Sequence, residues 1–78
     1  MACINSDGTL VASARAILTA AKKPSTPEQL AVATGLSLYR VRGGLRELTY
    51  AGLIAESAGI YQLTEAGGAR LAARPGAL

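Results

Sequence analysis

The run Thr26-Pro27-Glu28-Gln29-Leu30-Ala31-Val32-Ala33-Thr34-Gly35-Leu36-Ser37-Leu38-Tyr39-Arg40-Val41 decides the fold. Thr26 offers a hydroxyl to the free amides of a helix start. Pro27 takes the first helical position, where a missing N–H costs nothing, and Gln29 can reach back to the Thr26 amide. This capping box places a helix that runs to about Thr34. Gly35 then supplies a residue able to take positive φ at the helix end. Leu36 points inward, and Ser37 caps a third helix over 38–51. Because only Gly35, Leu36 and Ser37 separate the two helices, the pair must cross at a steep angle.

Upstream, Leu10, Val11, Ala14, Ile17, Leu18 and Ala21 recur at spacings of three and four, which marks an amphipathic helix. The pattern predicts helix 1 over 9–22, capped by Asp7 or Thr9. Lys22 and Lys23 fall in its last turn, where cations suit the helix dipole, and Pro24 stops it. Downstream, Gly52 is read as ending helix 3 in the way Gly35 ends helix 2. Residues 53–57 and 60–64 are short, partly β-branched or aromatic, and separated by Ala58-Gly59, which reads as a tight β-hairpin. Thr64 and Glu65 open a fourth helix containing Ala66, Ala69, Leu71 and Ala72. Gly67-Gly68 weaken its start by about 1 kcal/mol each relative to Ala, and Arg74-Pro75-Gly76 end it. The expected fold is α+β and mainly α: a three-helix core, a hairpin and a C-terminal helix. It forms a single domain over 1–78, with its core in about 9–73.

Composition bounds the rest. Half the 78 residues are apolar, Phe and Trp are absent, and Tyr39, Tyr50 and Tyr61 are the only aromatics. The core must therefore be built of Leu, Ile, Val and Ala. Eight Lys/Arg against five Asp/Glu give a net charge of +3, a mild excess that suits a polyanionic partner without establishing one. With one cysteine, Cys3, and no histidine, an internal disulfide is excluded and a zinc or iron–sulfur site is not expected. No apolar stretch approaches the roughly 18 residues of a membrane span. No basic region precedes an apolar block at the N-terminus, so no leader is expected, and the anticipated compartment is the cytoplasm. No cofactor is expected. The five carboxylates are scattered and there is no base to serve a nucleophile, so enzymatic activity is not expected either.

The order and spacing of Ala31, Gly35, Val41, Leu45 and Leu48, then Gly52-Leu53-Ile54, then Leu63-Thr64-Glu65-Ala66-Gly67, resemble the winged helix-turn-helix domains of bacterial transcription regulators. The resemblance covers roughly residues 10–73. It implies that helix 3 enters the major groove of double-stranded DNA and that the hairpin is a wing. On a helical wheel Val41, Leu45 and Leu48 define the buried side of helix 3. Tyr39, Gly43, Arg46 and Tyr50 lie opposite, with Arg40 and Arg42 on the flanks. Arginine can grip a guanine edge or a phosphate, and Tyr39 can reach a phosphate or a thymine methyl. The resemblance thus points to Ser37, Tyr39, Arg40, Arg42, Gly43 and Arg46 as the DNA-facing set, aided by Lys22 and Lys23.

Two features depart from the family pattern. Gly43-Gly44 interrupt the recognition helix, with Gly44 towards helix 2 and Gly43 outward. The segment Glu56-Ser57-Ala58-Gly59 carries no basic residue for a wing contact. Exposed arginines on a helix often mark only a solvated face. Tyr50 is read as covering the hairpin or a partner, and Tyr61 as packing at the core edge. The expected function is that of a small transcriptional regulator that binds DNA as a homodimer, paired through helix 1 and the apolar side of helix 4. The alternative is a winged-helix protein–protein interaction module that does not bind DNA.

Overall fold

The structure, a computed structural model, describes residues 10–72. Its elements follow in the order α1 (Ala12–Ala20), α2 (Pro27–Thr34), α3 (Leu38–Tyr50), β1 (Ile54–Ser57), β2 (Ile60–Leu63) and α4 (Glu65–Ala72). This is a mainly helical α+β arrangement of four helices and one antiparallel two-stranded sheet.

The local signals of α2 and α3 act as their chemistry requires. The Thr26 hydroxyl accepts the Gln29 amide at 3.2 Å, and the Gln29 side chain accepts the Thr26 amide at 2.9 Å, closing the capping box. Gly35, at φ 75°, turns the chain in the left-handed region and donates its N–H to the Ala31 carbonyl. The Ser37 hydroxyl accepts the Arg40 amide at 3.2 Å and starts α3. Helix α3 ends at Tyr50, one residue short of the expected 51. Gly52 N–H bonds the Thr49 carbonyl and Leu53 N–H the Leu48 carbonyl, the paired bonds of a Schellman motif.

Helix α1 is shorter than its apolar pattern suggests. Val11 occupies its N-cap position with no side-chain cap; the expected caps Asp7 and Thr9 lie outside the described residues. At the other end the helix leaves off at Ala20, and Lys22 and Lys23 follow it rather than completing its last turn. The reason is a long-range demand on the backbone. The Ala21 carbonyl accepts the Leu63 amide at 2.8 Å, and Ser25 and Tyr61 exchange both backbone hydrogen bonds, at 3.0 and 2.8 Å. The α1–α2 connection therefore runs beside β2 as a short third rung.

The core is aliphatic, as the composition requires. Ala14, Ile17, Leu18 and Ala21 pack with Leu30, Val41, Leu45, Leu48, Leu53 and Ile54. Tyr61 and Leu63 sit two residues apart on the same face of β2 and pack half-buried against this core, the period-2 pattern of a one-sided sheet. Tyr61 is thus at the core edge, as expected. Tyr50 is 96% exposed, so the hairpin does not pack under it. Leu71 packs half-buried on the core, and its carbonyl accepts Arg15 Nη2 at 3.0 Å. The apolar side of α4 is therefore partly used within the chain, leaving Ala66, Ala69 and Ala72 exposed.

The β1–β2 turn holds Ala58 at φ 53° and Gly59 at φ 83°. Positive φ at both central residues is the signature of a type I′ turn, for which Asn-Gly is the preferred pair. An alanine pays about 1 kcal/mol for that conformation. Ala58→Asn should raise stability by about 1 kcal/mol, read as a higher thermal midpoint with unchanged circular dichroism.

Candidate functional site

The residues expected to face a ligand do share the outer face of α3. Tyr39 is 88% exposed, and Arg40, Arg42 and Arg46 are exposed along the same helix. Ser37 is exposed too, with its hydroxyl oxygen engaged as the α3 cap. The three arginines are not equivalent. Arg42 lies 3.4 Å from the Glu28 carboxylate, an exposed pair that contributes little to stability but lowers the free positive charge of the face. Arg46 makes no hydrogen bond or ion pair to another described residue. Lys22 and Lys23 are exposed in the α1–α2 connection.

The face is concave. Where Gly43 and Gly44 leave α3 without side chains, a groove of about 290 Å³ opens between α3 and α1. Ser13 and Ile17 of α1 form one wall, and Tyr39 and Arg40 stand on the other with Arg42, Arg46 and Glu47 around them. Ser13, Ile17 and Glu47 were not among the expected site residues. The i, i+4 spacing of Ser13 and Ile17 on α1 is the only sequence signal that could have placed them together.

The two glycines differ. Gly44 is buried in the body of the domain. At Gly43 an added methyl group would meet no described residue within 4 Å, so its absence serves no packing among them. Gly43→Ala should therefore stabilise the protein by about 1 kcal/mol through helix propensity alone. Denaturant unfolding at constant m-value checks this; a loss of stability would mean that Gly43 is needed for the fold itself.

The hairpin contributes no positive charge to any surface. Glu56 is its charged residue, and the Glu56 carboxylate accepts the Gly59 amide at 2.7 Å, so it serves the turn. Among the described residues no cluster of three potential metal ligands stands together, and no helix is long and apolar enough to cross a membrane.

Comparison with solved structures finds similarity to CalO1, described as a methyltransferase in calicheamicin biosynthesis, in its SAH-bound form. The two are 34% identical, superpose with a TM-score of 0.65, and align over 82% of this chain. The alignment covers 20% of that methyltransferase chain, so the present chain matches about one fifth of its length. No family model and no curated protein matches the sequence.

Proposed function

We propose that this chain is a winged-helix domain, with the β1–β2 hairpin as its wing, acting as a non-catalytic protein–protein interaction module of a methyltransferase-type assembly. The observation that carries the reading is the 34% identity to one fifth of a methyltransferase chain. Among the described residues the only sheet is an antiparallel hairpin. A parallel sheet of the kind that seats a nucleoside cofactor at strand ends is missing from them. The matched fifth is therefore read as an accessory domain. The surface agrees with a protein partner. Val32, Tyr39 and Tyr50 are 86, 88 and 96% exposed, side chains that a partner could cover. A second copy of the chain is the first partner to test. Light scattering over a concentration series should show a mass above that of the monomer.

A second reading, a regulator that binds double-stranded DNA, is favoured by one observation. Tyr39, Arg40, Arg42 and Arg46 lie exposed on the helix that follows the Gly35–Ser37 bend. It places α3 in a major groove and expects about three phosphate contacts. Affinity would then fall with salt at a logarithmic slope of about −3. Arg46→Ala should weaken such binding about tenfold or more. Gel-shift or fluorescence titration across a salt series tests it, because a protein partner gives neither the slope nor the Arg46 dependence. The Arg42–Glu28 pair and the uncharged wing tip weigh against this second reading.

A further inference from the structure

We propose that the α1–α3 groove is a binding site for a small organic carboxylate carrying an aromatic or other flat apolar body. Its volume, about 290 Å³, lies at the small end of the range for ligand pockets and suits a single fused ring system. Ile17 and the bare backbone at Gly43 and Gly44 line a slot that a flat ring can enter. Tyr39, 88% exposed, also lines the groove and supplies an aromatic ring for stacking.

The rim sets the charge of the ligand. The lining holds three arginines against one glutamate. Arg46 has no partner among the described residues, and Arg42 is held only by the exposed 3.4 Å pair with Glu28, which an incoming carboxylate can displace. A planar guanidinium matches a carboxylate through two parallel hydrogen bonds. Gly43 completes the case. An outward glycine in mid-helix costs stability, and no described residue occupies the space its methyl group would fill. A ligand that needs that space explains the residue.

The test is an amide NMR titration of the full chain with naphthoate and with its neutral isostere naphthamide. Naphthoate should shift the amides of Gly43, Gly44 and Ser13 saturably, and naphthamide should bind about tenfold more weakly. Arg46→Gln should weaken naphthoate about tenfold, whereas Lys22→Gln, which removes the same charge outside the groove, should not. Gly43→Leu should abolish the shifts. If that variant does not fold, the Arg46 and Lys22 comparison carries the test. Equal affinity for the two isosteres, equal effects of the two charge removals, or no saturable shift would each overturn the proposal. So would a generic DNA duplex that moves the same amides while naphthoate leaves them still, a result that would support the DNA reading. The light-scattering measurement of association is independent of all these outcomes.

Discussion

Gly67→Ala is expected to destabilise the protein by about 3 kcal/mol and lower its thermal midpoint by about 15 °C. Helix propensity alone predicts the opposite sign, a gain of about 1 kcal/mol for removing a glycine from a helix. Packing decides against it. A methyl group on Gly67 would land on the Leu53 carbonyl oxygen and lie 2.7 Å from Leu63 Cδ1. The Leu53 carbonyl is part of the backbone and accepts the Thr64 amide at 3.1 Å, so it cannot yield without losing that bond. Gly67 is thus the point where α4 touches the entry to β1. Neighbouring glycines provide the control. At Gly68 the nearest contact for an added methyl is Leu63 Cδ2 at 3.8 Å, ordinary packing distance. Gly68→Ala should therefore be neutral or mildly stabilising, as Gly43→Ala should be. Urea unfolding of the three variants separates the cases, and a stabilised Gly67→Ala would show that α4 is not held this closely.

Thr64→Ala is expected to cost about 2 kcal/mol. The Thr64 hydroxyl donates to the Gly52 carbonyl at 2.7 Å and accepts the Gly67 amide at 3.0 Å. One oxygen therefore caps α4 and ties it to the turn that ends α3, two elements that share no local sequence. Thr64→Ser keeps the hydroxyl and should recover all but about 0.5 kcal/mol. If serine were as damaging as alanine, the methyl group and not the hydrogen bonds would be the cause. Thermal melts of the pair settle it.

These residues also show where the sequence is legible. The capping box at Thr26 and Gln29, the Gly35 turn, the Ser37 cap and the Ala58-Gly59 hairpin are each set by bonds within a few residues, so each can be read from a short window. The C-terminal end of α1 cannot. It is fixed by Ala21 and Ser25 bonding to Leu63 and Tyr61 across the chain, and no local pattern carries that information. Gly67 reads as a weak helix start until the Leu53 backbone is seen above it. In the candidate site, the wheel of α3 correctly separated Val41, Leu45 and Leu48 from Tyr39 and the arginines. It could not reveal the Glu28 partner of Arg42, fourteen residues away, or the wall that α1 contributes to the groove.

The amide spectrum of the chain titrated with generic duplex DNA at low salt tests the interaction-module reading most directly, because electrostatic binding is strongest there. An interaction module leaves the amides of Leu38–Tyr50 unmoved by saturating duplex. Saturable shifts along that helix, lost as salt is raised and lost again in Arg46→Ala, would contradict it.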